Sequence, residues 1–317
     1  MATYLITQAT GQQAQWTIRH LLASGAQVHA LVRDPSKLPS TSVLKQPGIT
    51  IFKGESVNFE DVYLAAQGCV GAYLNTYPIP GLETTQAQTV LAASRKAGIK
   101  SVVALTTMCT ANTDMWQDDW TQGTPLRDYF VSKASVEDAV RNNGSNSERE
   151  GGGEGKLTWT ILRPAFIHID YLLPTSALNF PRLATHGLLD HDYAPETRMP
   201  HTDCSDIGRY ACAALLDPAK FAGQEIELSN ELLTIEESRE IISRVSGREV
   251  RAERVVGKEG EVDLATLFHT WANRKDFGDV VRKAKQAEKR FGMEFTSFED
   301  ALRRDRDRVL ESLPAEV

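Results

Sequence analysis

The sequence predicts an α/β fold: a doubly wound parallel sheet followed by a smaller, mostly helical C-terminal lobe. Short apolar runs alternate with helix-like spacing over about the first 168 residues, the pattern of a parallel sheet with crossover helices. Beyond about residue 170 the alternation fades and amphipathic helical spacing replaces it. We therefore expect a sheet domain over residues 1–168 and a second lobe with cap helices over residues 169–317, some of which returns to the sheet.

Each element of this fold has its own signal. Apolar runs predict strands at residues 3–7, 28–32, 49–52, 69–74, 101–105, 157–162 and 224–228. Helical spacing predicts helices directly after the first strand, at residues 84–97 and at residues 126–142. Thr234 and Glu237 have the spacing of a capping box, which predicts that another helix begins there. Two further runs, at residues 277–291 and 298–310, predict the cap helices.

The turn after the first strand has the features of a dinucleotide-binding turn of the Rossmann type. Helix N-termini carry unpaired N–H groups and partial positive charge, so small residues there allow a pyrophosphate to bind. In the spacing G-x-x-G-x-x-G, the three places are taken by Gln8, Gly11 and Ala14. Gln8 departs from the pattern, because its Cβ and amide occupy the place of closest approach. We predict cofactor contacts from this turn, with an ordinary strand-to-helix connection as the alternative; the residues are Gln8, Thr10, Gly11, Gln12 and Gln13.

Basic residues follow the second strand, where an NAD-binding protein has an acidic one. An Asp or Glu about 20 residues beyond the turn accepts hydrogen bonds from the ribose of NAD. Arg33 stands at this position, and Lys37 follows four residues later. Guanidinium and ammonium groups suit a 2′-phosphate, so the pattern predicts NADPH or NADP+ rather than NAD. The alternative is a charged surface turn over residues 33–37.

Composition and charge narrow the class of protein. The net charge of -7 argues against nucleic-acid binding, because no basic surplus replaces the counterions of phosphates. The four cysteines form no C-x-x-C pair, and free thiols fit a reducing compartment. The sequence shows neither a leader pattern nor a membrane-length apolar run. We therefore expect a cytoplasmic protein without membrane contact, and we expect no metal, since His186, His191 and His201 lack the spacing of a standard site.

Polar residues follow the fourth and fifth strands. In a doubly wound sheet, ligands bind outside the carboxyl ends of the strands. Asn75, Thr76 and Tyr77 follow the fourth strand, and Thr107 follows the fifth. We predict that Asn75 and Thr76 contact the cofactor, that Tyr77 contacts the substrate, and that the Thr107 hydroxyl orients a substrate carbonyl. A plain strand-end threonine is an equal alternative for Thr107.

Tyr129 and Lys133 are the main candidates for chemistry. Residues four apart lie on one face of a helix, and this helix follows the fifth strand. An ammonium beside a phenol stabilises the phenolate, which allows acid–base chemistry near neutral pH. We predict that Tyr129 is a proton donor that also contacts the substrate, and that Lys133 tunes it and binds the nicotinamide ribose. Trp116, in the segment before this helix, is either part of an aromatic lid over an apolar substrate or ordinary loop packing.

One stretch interrupts the alternation of strands and helices. Residues 142–155 contain five glycines and no apolar residue, so they bury too little surface to offset the entropy of ordering. We predict a mobile surface loop over residues 143–156.

Taken in order, the motifs resemble the NmrA-like group of atypical short-chain dehydrogenases/reductases over about residues 1–250. The segments that carry the resemblance are residues 9–13, 30–34, 132–137, 159–166 and 206–211. The resemblance implies an NADP(H)-binding Rossmann domain with a smaller substrate lobe, and many fungal relatives act in secondary metabolism. It also implies that Lys133 binds the nicotinamide ribose and that the turn at residues 163–166 borders the nicotinamide, which makes Pro164 and Phe166 cofactor residues. His168, just beyond, is a predicted substrate residue.

Three functions follow from this reading. The first is an NADPH-dependent reductase of a hydrophobic small molecule with a carbonyl, an imine or a conjugated alkene. The second is a cyclase of secondary metabolism that keeps the bound nucleotide, and the third is a non-catalytic redox sensor that binds NADP(H) and a partner protein. The sequence sets neither the substrate nor the oligomeric state.

Overall fold

A computed structural model describes residues 1–145, 157–255 and 263–315, with the side chains of residues 143–145 left out. The chain divides into two compact units. The first unit comprises Met1–Ala111, Asp128–Arg163 and Ile207–Ile226, and the second comprises Asn112–Arg127, Pro164–Asp206 and Glu227–Val317. Residues 112–127 belong to the second unit although they lie within the first predicted domain. The predicted loop over residues 143–156 lies outside the described residues, apart from a helix that reaches Ser145.

The described strands include all seven that the sequence predicts and five short ones. They are β1 (Thr3–Ile6), β2 (Gln27–Val32), β3 (Ile49–Lys53), β4 (Gly71–Leu74), β5 (Ser101–Leu105), β6 (Thr158–Pro164), β7 (Phe166–Ile167), β8 (Leu188–His191), β9 (Met199–Thr202), β10 (Gln224–Leu228), β11 (Glu231–Leu233) and β12 (Arg251–Arg254).

The described helices include those predicted after the first strand, at residues 84–97, 126–142 and 277–291, and from Thr234, with ends that differ by a few residues, and further helices that were not predicted. They are α1 (Gln12–Ala23), α2 (Phe59–Ala66), α3 (Leu82–Lys96), α4 (Asp119–Gln122), α5 (Leu126–Ser145), α6 (Ser176–Asn179), α7 (Leu183–His186), α8 (Cys204–Leu216), α9 (Pro218–Phe221), α10 (Ile235–Ser246), α11 (Leu264–Ala272), α12 (Gly278–Phe291), α13 (Phe298–Arg304) and α14 (Arg306–Glu311). Short 3-10 helices lie at Pro35–Lys37, Val43–Lys45, Thr113–Met115 and His168–Tyr171.

The central sheet is Rossmann-like and confirms the predicted fold class. Its seven strands have the order β10-β6-β5-β4-β1-β2-β3. Strand β1 pairs in parallel with both β2 and β4, so the strand order reverses at this point. Strands β4 and β5 are buried along their whole length, which explains their uninterrupted apolar sequence. Ligands of such sheets bind outside the carboxyl ends of the strands at the reversal.

Helices complete the core of the first unit. Apolar residues of α2, α3 and α5 pack with those of the strands in one cluster that includes Leu5, Val62, Val90, Val102 and Val136. Gly208 on α8 allows a close approach to α1, because a Cβ there would lie 2.6 Å from the Trp16 carbonyl carbon. All four cysteines are buried free thiols, as predicted.

The second unit combines helices with two small sheets, of order β11-β9-β7 and β12-β8. The predicted capping box opens α10: the Glu237 N–H donates to Thr234 Oγ1 at 3.2 Å, and the Thr234 N–H donates to a Glu237 carboxylate oxygen at 2.8 Å. The run at residues 298–310 forms two helices rather than one, since helical geometry breaks at Asp305. Within the described ranges, no helix combines the length and the apolar character that a membrane span requires.

Candidate functional site

The turn between β1 and α1 is tight, and its backbone is unusual at Gln8. Gln8 has φ 49°, a left-handed conformation that costs a non-glycine residue about 1–2 kcal/mol. The Gly11 N–H donates to the Gln8 carbonyl oxygen at 2.8 Å, and a Cβ at position 11 would lie 3.1 Å from that oxygen. The one glycine of the turn is therefore needed for space, while Gln8 adopts the conformation that a glycine would adopt without cost.

The N-cap position of α1 is occupied by Gly11, which has no side chain with which to cap the helix. The first turn of α1 contains no acidic residue. Gln12 and Gln13, the first two helical residues, are half-buried, and Thr10 is exposed. The positive end of this helix therefore meets no carboxylate from its own first turn, which suits a bound anion.

A cavity of about 900 Å³ opens beside this turn in the first unit. Its lining comes from the turn, the end of β2, the segment after β3 and the start of α3. Arg19, Arg33 and Lys37 supply three cations, against two carboxylates from Asp34 and Glu55. The Asp34 carboxylate is already engaged by Ser36 and Lys37. The hydrogen bonds from Ser36 and the charge of Lys37 lower the pKa of Asp34. Further lining residues are Gln8, Thr10, Gln15, Ser42, Ser56, Val57, Tyr77, Ile79, Leu82 and Gln86.

Arg33 and Tyr77 meet in this cavity. The Arg33 guanidinium carbon lies 6.0 Å from the centroid of the Tyr77 ring, within the range of a cation–π contact. The Tyr77 N–H donates to Gln86 Oε1 at 2.8 Å, and its side chain is about half exposed. Tyr77, which the sequence suggested for the substrate, thus lies beside the predicted phosphate-binding cation.

Of the other two cations of the cavity, the sequence predicted Lys37 but not Arg19. Lys37 is 83% exposed and lies 3.6 Å from the Asp34 carboxylate, so it is weakly paired. Arg19 is exposed and lies over the Trp16 ring at 5.4 Å. Sequence analysis missed Arg19, although its place two turns into α1 puts it within a helix that begins at the predicted nucleotide turn.

Asn75 and Thr76 belong to a hydrogen-bonded link between the ends of β1 and β4. The Asn75 N–H donates to Thr7 Oγ1 at 3.1 Å, and the Thr7 hydroxyl donates to the Asn75 carbonyl at 3.1 Å. The Asn75 side-chain oxygen accepts from the Thr76 N–H at 2.9 Å. These bonds fix the loop after β4 at the edge of the sheet where ligands bind.

Lys133 is paired with Glu83, a residue that sequence analysis did not select. Lys133 Nζ donates to Glu83 Oε2 at 2.6 Å, and the Thr76 hydroxyl donates to the same oxygen at 2.6 Å. The side chains of Lys133 and Glu83 are 7% and 1% exposed. Lys133 Nζ lies 5.6 Å from the centroid of the half-buried Tyr129 ring. The structure therefore brings together Tyr129, Lys133, Glu83 and Thr76, from α5, α3 and the loop after β4.

Arg163 and Glu137 are buried and form an ionic cluster with the partly exposed Arg141 and Glu225. Arg163 donates from two guanidinium nitrogens to the two Glu137 oxygens, each at 2.7 Å, and also contacts Glu225. Thr106 donates to Glu137 at 2.7 Å. Burial alone would raise the pKa of Glu225, but hydrogen bonds and charge from Arg141 and Arg163 lower it to about 2. The guanidinium of Arg163 is thus engaged by protein carboxylates and ties α5 to β6 and β10.

Thr107 lies directly after Thr106 but in a different environment. Its side chain is half-buried, and its carbonyl oxygen accepts a hydrogen bond from the Thr110 hydroxyl at 2.7 Å. The neighbouring Cys109 has φ 64°, so the backbone after β5 turns sharply here. Thr107 therefore lies at the carboxyl end of β5, just before the chain changes direction.

Three predicted residues lie in the second unit and are held by its packing. Pro164 is buried, and Phe166 makes edge contacts with the rings of Tyr171 at 5.4 Å and His201 at 5.8 Å. His168 is 0% exposed, with Nε2 2.8 Å from an Asp305 carboxylate oxygen and Nδ1 accepting from the Cys204 N–H at 3.1 Å. This burial does not support the predicted substrate contact of His168; it indicates a packing role.

Trp116 is also buried, within the second unit. Its side chain is 5% exposed, and its carbonyl oxygen accepts from Gln122 Nε2 at 2.9 Å. The adjacent Met115 carbonyl accepts from Trp271 Nε1 at 2.8 Å, and Asp118 pairs with Lys275 at 2.6 Å. The segment before α5 is therefore fastened to α11 and the residues after it, which favours ordinary packing over a lid.

The missed residues share one property: their role depends on a partner that is distant in the chain. Glu83 stands in the first turn of α3, where an acidic residue is common because it favours the helix dipole. Glu137 reads as one charged residue on an amphipathic helix. The local sequence did not show that the side chains of Glu83 and Glu137 are buried. Only the spacing of buried positions on α3 and α5 indicated it.

Comparison with known proteins gives one curated relative and several solved structures of the same fold. The NmrA-like family domain-containing oxidoreductase malD of Malbranchea aurantiaca is 27% identical over 288 residues, covering 82% of this chain and 80% of the relative. The negative transcriptional regulator NmrA, solved in complex with NADP, has a TM-score of 0.70 at 20% identity, over 97% of this chain and 96% of that one.

Two solved reductases are similar to the same extent. The NADPH-dependent quinone oxidoreductase of Escherichia coli, complexed with NADPH, has a TM-score of 0.69 at 18% identity, over 96% of this chain and 99% of that one. The triphenylmethane reductase of Citrobacter sp., complexed with NADP(H), has a TM-score of 0.68 at 18% identity, over 95% and 99%. These likenesses establish the fold.

The sequence profile of the NmrA-like family matches residues 2–264, most of the chain. This span contains the turn between β1 and α1, the basic residues after β2, and the group formed by Tyr129, Lys133 and Glu83. The chain therefore belongs to the NmrA-like family.

Proposed function

We propose that this protein is an NADPH-dependent reductase of a hydrophobic small molecule in which a carbonyl, an imine or a conjugated alkene is reduced. The observation that carries the proposal is the cavity in which Arg19, Arg33 and Lys37 lie beside Gln8 and Thr10 of the turn that leads into α1. The relative named an oxidoreductase, and the solved reductases with bound NADPH or NADP(H), support the same function.

The residues that line the cavity fit a phosphorylated dinucleotide. A volume of about 900 Å³ is within the usual range for cofactor sites. The start of α1 suits the pyrophosphate, and Arg33 with Lys37 suits a 2′-phosphate. Tyr77 and Ile79, both about half exposed, offer apolar surface to an adenine ring. Gln8 opposes this fit in part, since its side chain lies where a glycine would leave room.

The reaction chemistry falls to the group around Lys133. NADPH supplies a hydride when it is bound. In our proposal Tyr129 holds a proton at its phenolic oxygen and donates it to the oxygen of a carbonyl, the nitrogen of an imine or the α-carbon of a conjugated alkene. Lys133 donates hydrogen bonds to the nicotinamide ribose, and the Thr107 hydroxyl orients the substrate carbonyl. The proton donated by Tyr129 completes a net addition of two hydrogens to the substrate.

The substrate class is assigned from the second unit and from the family resemblance. We assign the part of residues 169–317 that belongs to the second unit to substrate recognition, since its helices and small sheets lie outside the nucleotide-binding pattern. In this part the Phe180 and Phe298 rings each pack against the buried Tyr171 ring. The family resemblance of the motifs supports a role in secondary metabolism.

Stopped-flow oxidation of bound NADPH with a panel of apolar carbonyls, imines and conjugated alkenes tests the proposal. We expect a decrease in NADPH absorbance with at least one class, and a product heavier than its substrate by two hydrogens. A product of unchanged mass that forms only with bound nucleotide would support the cyclase instead.

The variant Tyr129→Phe should lose about 10²–10⁴-fold in turnover, while the control Tyr63→Phe, on α2, should keep the turnover of the parent. Normal turnover by Tyr129→Phe removes Tyr129 from the mechanism.

A redox sensor is the second candidate, and one observation favours it. Gln8 takes the place of the first glycine in a strained conformation, which lowers the fit to the nucleotide. The similar structure of NmrA belongs to a negative transcriptional regulator that was solved with NADP. A sensor requires unequal affinities for NADP+ and NADPH and has no turnover. Calorimetry with both forms separates the two functions, because equal affinities leave a sensor no signal to read.

A further inference from the structure

The buried group of Lys133, Glu83 and Thr76 carries an inference about how the proposed cofactor is held. Glu83 Oε2 accepts two hydrogen bonds of 2.6 Å, from Lys133 Nζ and from the Thr76 hydroxyl. The second Glu83 oxygen, Oε1, is buried and has no hydrogen-bond partner among the described residues. All three residues belong to the first unit and lie at the carboxyl edge of its sheet.

Glu83 is held in place and thereby sets the position of the flexible Lys133 side chain. It lies in the first turn of α3, and the Thr76 hydroxyl fixes the same oxygen that Lys133 contacts. A lysine ammonium sits on a four-carbon stem with many rotamers, so the position of the charge is set by its partner. Glu83 therefore defines where the Lys133 ammonium lies.

Two donors of the ammonium remain available. Lysine has three N–H groups, and the one hydrogen bond that the structure describes for Lys133 goes to Glu83. Two N–H donors on one nitrogen match the two vicinal hydroxyl oxygens of a ribose. Stability alone does not explain the pair, because well-packed apolar side chains are usually as stabilising as a buried ion pair.

We infer that Glu83 and Thr76 are positioning residues for Lys133: they fix its ammonium so that its two remaining N–H groups bind the cis-diol of the nicotinamide ribose. The inference rests on the proposed function, since it assumes that the site binds NADPH. Neither Glu83 nor Thr76 touches the cofactor in this scheme. Both act through Lys133.

The test compares two ligands that differ in the part that Lys133 binds. NADPH contains the nicotinamide ribose, whereas adenosine 2′,5′-bisphosphate contains only the adenosine half with its 2′-phosphate. For Glu83→Gln we expect about tenfold weaker NADPH binding, the equivalent of one hydrogen bond, and adenosine 2′,5′-bisphosphate affinity within about twofold of the parent. Calorimetry measures both. Glu60→Gln, at the exposed first turn of α2, is the matched control and should change neither.

A double-mutant cycle separates positioning from a general structural effect. In a Lys133→Met background, Glu83→Gln should have no further effect on NADPH affinity, because the residue through which Glu83 acts is gone. An equal loss in both backgrounds, or equal losses for the two ligands, overturns the inference. If Glu83→Gln does not fold, Thr76→Val serves instead: it keeps the ion pair and should weaken NADPH binding by about threefold. Unchanged NADPH binding by whichever of the two variants folds also overturns the inference.

Failure of the proposed function gives a different result. If the parent protein binds neither NADPH nor adenosine 2′,5′-bisphosphate, the proposed function fails and the inference fails with it. If the parent binds NADPH and Glu83→Gln binds it equally well with its fold intact, the inference alone fails. Thermal unfolding of each variant establishes that the fold is intact.

Discussion

Two regions of the first unit use basic side chains in opposite ways: one leaves them exposed, and the other pairs them with carboxylates. We call Arg19, Arg33 and Lys37 the basic edge of the cavity, and Glu137, Arg141, Arg163 and Glu225 the ionic cluster. The three cations of the basic edge are exposed, and only Lys37 has a nearby carboxylate, at 3.6 Å, among the contacts described. In the ionic cluster, Arg163 is 5% exposed and is bound by two carboxylates.

The difference shows that the partner of a cation, rather than its type, decides its use. An exposed guanidinium without a protein carboxylate keeps its donors for a phosphate. A buried guanidinium is stable only when its donors are satisfied inside the protein, so it serves the fold. Arg33 and Arg163 are therefore expected to respond differently to substitution: the first in ligand binding, the second in stability.

The largest effect is expected from breaking the ionic cluster at Glu137. Glu137→Ala leaves the buried Arg163 without its bidentate partner, which should lower the free energy of unfolding by about 3–5 kcal/mol. Urea unfolding at neutral pH measures the loss. Glu60→Ala, an exposed acidic residue in the first turn of α2, should change stability by less than about 0.5 kcal/mol. Similar values for the two variants would mean that the cluster contributes nothing beyond surface charges.

Arg33→Ala tests the other side of the comparison. Loss of a charge-assisted contact with the 2′-phosphate should weaken NADPH binding by about 1.5–3 kcal/mol and leave NADH binding nearly unchanged. Stability should stay within about 0.5 kcal/mol of the parent, because Arg33 is exposed. Titration of each nucleotide by calorimetry provides the measurement, and equal losses for both would show that Arg33 does not read the phosphate.

The pH dependence of stability is expected to follow the ionic cluster. The pKa of Glu225 is lowered from 4.5 to about 2, because hydrogen bonds and charge from Arg141 and Arg163 outweigh its burial. Its stabilisation is thus fully present above the unfolded value and is lost as the pH falls from 4.5 through 2. Since its side chain is 29% exposed, we expect about 1–2 kcal/mol. Thermal unfolding of Glu225→Gln should therefore show a shallower acid loss than the parent; parallel curves would contradict this assignment.

Arg19→Ala is expected to have the smallest effect and to sharpen the description of the basic edge. An exposed cation at the cavity contributes about 0.5–1 kcal/mol to the binding of a phosphorylated ligand. Salt screens such interactions, so the difference between parent and variant should shrink between 0.1 M and 1 M ionic strength, where the screening length falls from about 10 Å to 3 Å. A loss in NADPH affinity that is independent of salt would indicate a direct, desolvated contact instead.

Much of the fold and part of the site could be predicted because the signals are local. Apolar runs gave the strands β1 to β6 and β10, since a buried parallel strand is apolar along its length. The candidate nucleotide turn and Arg33 could be selected because their spacing is set by one strand-turn-helix unit and the next strand. Tyr129 and Lys133 could be selected because a helix places residues four apart on one face.

By itself, the sequence determined the sheet, the position of the candidate nucleotide turn and the basic residues after β2. Tertiary structure decided which charges are used internally: Glu83 reaches Lys133 across 50 residues of chain, and Arg163 reaches Glu225 across 62. Burial of His168 and Trp116 was decided in the same way, by packing within the second unit. The physical reason is that burial and ion pairing depend on residues brought together only when the chain is folded, whereas strand and helix periodicity is written in neighbouring residues.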